Sequence, residues 1–237
     1  MNKEILLKSL QNGLIVSVQA DTYEPLGKPE LLLAMAQAAV YGGAVGIRAC
    51  YPENIRCIKN SVDVPVIGIY KKKYPDSEVF ISATVEDCIL VALAGPEIIA
   101  MDATLRKRPK DENLADIISE LRKCSNALLM ADVSTVNEGV KAIDTGFDII
   151  GTTLSGYTGQ STPVLNDYTP DFALLTQLVK ESDGKIPVIA EGRYWQPEDA
   201  RRALDIGAFA VVVGSAITRP WLITMRFIEA MKRQNSS

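Results

Sequence analysis

The 237-residue chain predicts an α/β fold in which eight parallel strands, each followed by a helix, close into one (β/α)8 barrel of the TIM type. Three observations predict it. Eight short apolar runs recur along the chain, and each ends on a polar or glycine-rich step. Helix-like stretches separate them, at a spacing near the ~30 residues of a βα unit. The runs are continuously apolar, as strands covered on both faces require. The rival is a doubly wound open sheet. To bind a dinucleotide it would need a Gly-x-Gly-x-x-Gly turn after the first strand. Here that turn reads Gln-Ala-Asp-Thr-Tyr-Glu-Pro-Leu-Gly, from Gln19 to Gly27.

The runs end, in order, at Gln19, Arg48, Lys71, Asp102, Asp132, Thr153, Glu191 with Arg193, and Ser215. Between them, Glu30 to Gly42 reads as a helix stopped by Gly42 and Gly43. Thr84 to Ala94 stops at Gly95-Pro96. Ser134 to Thr145 opens on Ser-Thr, carries Glu138 in its first turn and stops at Gly146. Pro197 to Ile206 starts with proline and stops at Gly207. Glu112 to Cys124 and Asp171 to Glu181 carry fainter helical patterns. The repeat of helix end, glycine and buried strand recurs near Gly42, Gly146 and Gly207, and Val-Pro-Val-Ile at Val64 is echoed by Ile-Pro-Val-Ile at Ile186.

Composition bounds the rest. Residues 1–237 suit one barrel domain with a large core. The formal net charge of −4 argues against nucleic acid or an acidic membrane as partner. The cysteines, Cys50, Cys57, Cys88 and Cys124, form no Cys-x-x-Cys pair, and the chain has no histidine, so no zinc set is expected. Reduced thiols and the lack of a signal peptide or membrane span imply a cytoplasmic protein. Without histidine, Ser-His-Asp and Cys-His catalysis are excluded, and any acid–base work falls to Lys, Asp, Glu, Tyr or Cys.

In a barrel the polar run ends meet at one rim, where active sites sit. Gly214-Ser215 after the eighth run and Glu191-Gly192-Arg193 after the seventh offer backbone close approach, helix-start amides and arginines, which together suit a phosphate. Arg219 adds a planar donor fork. Lys71 heads a lysine run in which Lys72 and Lys73 are solvated; strand alternation lets Lys71 point inward, where desolvation favours a base or a Schiff base. Glu191, Asp102 and Asp132 are acid–base, hydroxyl-binding or ion-pairing carboxylates. Arg48 and Gln19 suit carbonyl or amide oxygens. Arg106 to Lys110 reads as an exposed basic loop.

These residues resemble the bacterial N-acetylmannosamine-6-phosphate 2-epimerase family. The matching stretches are Leu14 to Ala20, Gly46 to Ala49, Ile67 to Lys71 with Asp76 to Glu78, Met101 to Thr104 with Arg106 to Pro109, Met130 to Thr135, Thr152 to Thr158, Ala190 to Arg193 and Gly214 to Pro220. Their order and spacing carry the specificity. The family often has Gly-Gly where this chain has Gly214-Ser215.

The resemblance implies interconversion of N-acetylmannosamine 6-phosphate and N-acetylglucosamine 6-phosphate in sialic acid and amino-sugar catabolism, without metal, nucleotide or redox cofactor. It matches Lys71 and Glu191 to the catalytic lysine and its partner carboxylate. Gln19, Arg48 and Asp132 match substrate contacts; Gly192, Gly214, Ser215 and Arg219 match the phosphate site. A homodimer is left open. Two other readings stand beside it: a lysine Schiff-base aldolase or lyase on a phosphorylated sugar, and a non-catalytic sugar-phosphate sensor.

Overall fold

The computed structural model describes residues 2–21, 23–161 and 168–232. Eight strands run in chain order: β1 (Leu14–Val18), β2 (Gly46–Cys50), β3 (Val66–Ile69), β4 (Ile98–Asp102), β5 (Leu128–Asp132), β6 (Ile149–Gly151), β7 (Val188–Glu191) and β8 (Ala210–Val213). Each pairs in parallel with the next, and β8 returns to β1, with Ile15 opposite Val212, so the barrel closes. The (β/α)8 expectation is met, and the open-sheet rival is excluded.

The helices fall between the strands: α1 (Lys3–Leu10), α2 (Pro29–Tyr41), α3 (Pro52–Lys59), α4 (Val85–Ala92), α5 (Leu114–Cys124), α6 (Val136–Thr145), α7 (Phe172–Ser182), α8 (Pro197–Ile206), α9 (Ser215–Thr218) and α10 (Pro220–Lys232). Helix α6 shows why the local signals were reliable. The Thr135 side chain accepts from the Glu138 amide while Glu138 reaches back to the Thr135 amide, and Gly146 ends the helix with φ of 94°. That conformation costs a glycine least. Helices α1, α3 and α10 are not among the stretches that the sequence pattern marks as helical.

Two apolar layers result. The helices pack on the outer strand face through residues such as Val16, Ile47, Ile99 and Leu129. The barrel interior is filled by Ile15, Ile67, Ile69, Ile98, Met130, Ile149, Ile189 and Val212, joined from below by Leu6 and Leu10 of α1. Alternation then decides what faces the rim. Inward parity runs through Ile67 and Ile69 to Lys71, through Leu128 and Met130 to Asp132, and through Ile189 to Glu191.

Three details differ from the sequence pattern. The third strand stops at Ile69, and Lys71 lies two residues beyond, in an antiparallel bridge with Ile81. The basic stretch after β4 is not all exposed. Arg108 is buried, donating to the carbonyls of Ala83 and Asp102, and Arg106 is drawn onto the Asp102 carboxylate; only Lys107 and Lys110 extend into solvent. Buried carbonyls need donors, and arginine's fork supplies several. Helix α10 has no buried residue and leaves Met225, Phe227, Ile228 and Met231 exposed.

Candidate active site

At the carboxyl ends of the strands lies a cavity of about 550 Å³. Gln19, Lys71, Glu191, Gly192, Gly214, Ser215 and Arg219 all line it. Seven of the nine expected site residues therefore share one wall. The other two, Arg48 and Asp132, lie beneath it, with 1% and 0% of their surface exposed.

Those two form the foundation. Arg48 grips Asp132 with both terminal nitrogens, at 3.1 and 2.6 Å, and the first nitrogen also reaches Glu191 Oε2 at 3.0 Å. Such a fork fixes direction as well as charge. Burial works against the Arg48 charge, yet the two carboxylates hold its pKa above the ordinary value. One guanidinium thus serves two carboxylates. Asp132 takes the two-pronged grip, and Glu191 receives a single contact.

Glu191 is pushed the other way. Burial raises its pKa above the ordinary carboxylate range, Arg48 opposes this, and Asp132 adds to it. Burial likewise lowers the Lys71 pKa, helped by Arg48 and Arg219 and resisted by Cys50 and Glu191. No ion pair joins Lys71 to Glu191 among the described residues. The directions agree: burial moves both groups toward their neutral forms.

The side of the cavity beyond β7 and β8 is lined by glycine backbone. Gly192 has φ of 108°, which favours glycine, although a Cβ there would meet nothing closer than 3.8 Å. A Cβ on Gly214 would come within 3.3 Å of the Ser17 Cβ, so the position is tight for any larger residue. Gly214 caps α9, whose first amides have no partner within their own helix. Arg219 lies 3.5 Å from Glu24 and faces the same cavity.

Gln19 differs from its expected role. Its Nε2 is committed to Ser17 Oγ at 2.7 Å, and its buried Oε1 has no partner among the described residues. In this assignment it offers an acceptor rather than a donor, suited to an N–H or O–H group. Asp102 takes the ion-pairing alternative: it is fully buried, does not line the cavity, and its oxygens accept from Thr104 and Arg106 at 2.7 and 2.6 Å.

Thr153 was not singled out from sequence. Its Oγ lies 2.7 Å from Asp132 Oδ1 and 3.0 Å from Glu191 Oε2, and it lines the cavity. Its signal was present, since it ends the sixth run as Lys71 ends the third. A Cβ on Gly151 would sit 2.4 Å from the Met130 Cε and 3.0 Å from Thr153 Oγ, so this glycine makes room for the cluster.

Comparison with known proteins bears on what this arrangement does. The family model "NanE: Putative N-acetylmannosamine-6-phosphate epimerase" matches residues 32–233. The chain belongs to this family. A relative described as an N-acetylmannosamine-6-phosphate 2-epimerase, from Listeria monocytogenes, is 48% identical over 229 residues, covering 96% of this chain and 98% of its own. A similarly described relative from Caldanaerobacter subterraneus is 46% identical over 233 residues, covering 98% and 96%. The solved N-acetylmannosamine-6-phosphate 2-epimerase from Clostridium perfringens superposes with a TM-score of 0.91 at 43% identity, over 97% of this chain and 98% of that one. A thiamine phosphate pyrophosphorylase from Pyrococcus furiosus, 17% identical with a TM-score of 0.57 over 90% and 89%, shares the fold alone.

Proposed function

We propose that this chain interconverts N-acetylmannosamine 6-phosphate and N-acetylglucosamine 6-phosphate by moving a proton at C2. One observation carries the chemistry: a half-buried lysine and a half-buried carboxyl, each displaced toward its neutral form by desolvation, line one cavity above a charge-balanced Arg48–Asp132 pair. Membership of the epimerase family favours this reading over the aldolase and sensor alternatives.

The substrate dictates what is needed. The two sugars differ only at C2, and the C2 proton is acidic only beside a carbonyl. The ring therefore opens first: the C1–O5 bond breaks, O5 gains a proton and the C1 hydroxyl loses one. Neutral Lys71 then takes the C2 proton and becomes an ammonium. The C–H electron pair forms the C1–C2 double bond, and the carbonyl electrons move to the C1 oxygen, which takes the proton of Glu191. Rotation about C2–C3 of the open-chain enol presents its other face to Lys71, whose ammonium returns a proton to C2 while the enol hydroxyl gives its proton back to Glu191, and ring closure completes the exchange. Within the enzyme a neutral pair becomes an ion pair and reverts, so the net charge of the site stays constant while charge develops where fixed dipoles await it.

Gly192, Gly214, Ser215 and Arg219 hold the phosphate, away from the reacting carbon. Binding energy from that remote group then orients the sugar while C2 changes hybridisation. Gln19 Oε1 accepts from the acetamido N–H or a sugar hydroxyl. Two further expectations belong here. A cytoplasmic location suits a phosphorylated substrate that does not cross membranes unaided. A homodimer suits α10, which follows β8 where a covering helix belongs and yet buries none of its residues.

Proton NMR of the purified protein with N-acetylmannosamine 6-phosphate in heavy water tests the reading. Conversion with deuterium appearing at C2 is the expected result. Lys71→Ala and Glu191→Gln should each lower turnover by at least about a thousandfold while product still binds. Full activity in either variant would end the proposal.

A further inference from the structure

A threonine hydroxyl has one proton and two lone pairs. The Thr153 hydroxyl lies within hydrogen-bond distance of two carboxylates, Asp132 Oδ1 at 2.7 Å and Glu191 Oε2 at 3.0 Å. Its one proton serves one of them well, or both weakly in a three-centre bond. Where it serves one, the second contact sets lone pair against lone pair unless that carboxyl carries its own proton. Arg48 does not relieve the conflict, because its fork is already spread over both acids.

The geometry ranks the two. Asp132 holds both prongs of Arg48 and the shorter contact to Thr153, so it is the one that receives the hydroxyl proton. Glu191, with one contact to Arg48, is the one that carries a proton and directs it at Thr153 Oγ. The opposite arrangement, Thr153 donating to an anionic Glu191, holds the Glu191 pKa down and becomes favourable only after Glu191 has lost its proton.

We propose that Thr153 is a positioning residue whose hydroxyl turns during catalysis, accepting from protonated Glu191 at rest and donating to it once that proton has passed to substrate. This rests on Glu191 as the proton donor of the proposed epimerisation. No bond in Thr153 is made or broken. Only its O–H torsion changes, exchanging a hydrogen bond to Asp132 for one to Glu191. Asp132 tolerates the exchange because Arg48 keeps both of its oxygens satisfied. Branching at Cβ limits the rotamers of Thr153, so the oxygen stays in place while the hydrogen moves. The absent side chain of Gly151 leaves the oxygen accessible.

Because Glu191 faces Arg48 from β2, Asp132 from β5 and Lys71 beyond β3, with Arg219 and Cys50 acting on Lys71, the pH limbs of kcat belong to the Lys71–Glu191 pair. In this scheme the acid limb is protonation of Lys71, with Glu191 already carrying its proton. On the alkaline limb Glu191 loses its proton. Removing the Thr153 acceptor therefore shifts one limb only.

Kinetics of Thr153→Val, which keeps the shape, and Thr153→Ser, which keeps the hydroxyl, provide the test. The valine variant should lose about tenfold in kcat, the scale of one buried hydrogen bond. Its KM should change less than about twofold, since this contact serves bound chemistry rather than binding. Its alkaline limb should move down by about one pH unit with the acid limb in place, as expected for one lost contact to a protonated carboxyl. The serine variant should keep both limbs. If valine does not fold there, Thr153→Ala with the same measurements replaces it. An unmoved alkaline limb, an upward shift, or equal movement of both limbs overturns the proposal. An active Glu191→Gln would instead overturn the epimerisation scheme, so the two failures are distinguishable.

Discussion

The two mouths of this barrel are built from the same eight strands and do opposite things with charge. The lower mouth is closed by α1, whose Leu6 and Leu10 enter the interior cluster, while its charged residues stay outside in the Lys3–Asp148–Arg122 chain. The upper mouth takes charge inside: Arg48 and Asp132 are buried where the lower mouth has leucine, and Lys71 and Glu191 stand above them. One strand shows the contrast within five residues. Leu128 at the start of β5 faces the lower interior, and Asp132 at its end faces the site. Apolar burial stabilises the fold at one end. At the other, desolvation of ionisable groups lowers stability and creates the displaced pKa values that proton transfer needs.

After the loss of turnover expected for Lys71→Ala and Glu191→Gln, Arg48→Met is the sharpest way to break that contrast. It leaves two buried carboxylates without their shared partner, so it should cost about 3–5 kcal/mol in urea unfolding as well as activity. Arg48→Lys should not restore activity, because an ammonium cannot span both oxygens of Asp132 and still reach Glu191. If Arg48→Met were as stable as the parent protein, the buried pair would not be the foundation assigned to it. Leu10→Ala probes the other mouth. Leu10 is fully buried, so the cavity should cost about 2–5 kcal/mol of stability while kcat stays within about twofold. A large fall in kcat with little loss of stability would mean that the two ends are coupled.

The strands were legible because a covered parallel strand has to be continuously apolar, and four helices were legible because glycines stop them, while Glu112 to Cys124 and Asp171 to Glu181 were fainter. The rim was legible only as a set of positions. Parity within each strand predicts that Lys71 and Glu191 face inward. It does not say which polar groups reach one another across the barrel, because the Arg48–Asp132–Glu191 contacts join β2, β5 and β7. Asp102 and Asp132 make the point: they sit opposite each other in the β4–β5 register and look alike in sequence. Asp102 is satisfied by Thr104 and Arg106, two and four residues on, whereas Asp132 finds its arginine on another strand. Thr153 was passed over for the same reason. Its importance lies in having two acceptors for one proton, which is a property of the folded site.

Asp148 offers the smallest and most specific test, because its half-buried charge at the lower mouth is held between two solvent-exposed cations. Its oxygens take Lys3 Nζ at 2.5 Å, Arg122 at 2.6 Å and the Leu129 amide at 2.9 Å. Burial raises its pKa, but the hydrogen bonds from Arg122 and Lys3 outweigh this and hold it below the ordinary value. A carboxyl depressed in the folded state contributes stability that is present above its unfolded pKa, near 3.9, and is lost as pH falls through the lower folded value. Asp148→Asn should therefore cost about 1 kcal/mol at pH 7, a figure kept small because Lys3 and Arg122 are solvent-exposed and screened. The difference from the parent protein should shrink as unfolding is measured at pH values progressively below about 4. High salt should shrink it at pH 7 as well. The same titration leaves kcat untouched if the lower mouth carries only stability, so a variant that lost activity in parallel would show charge at one end of the barrel acting on the other.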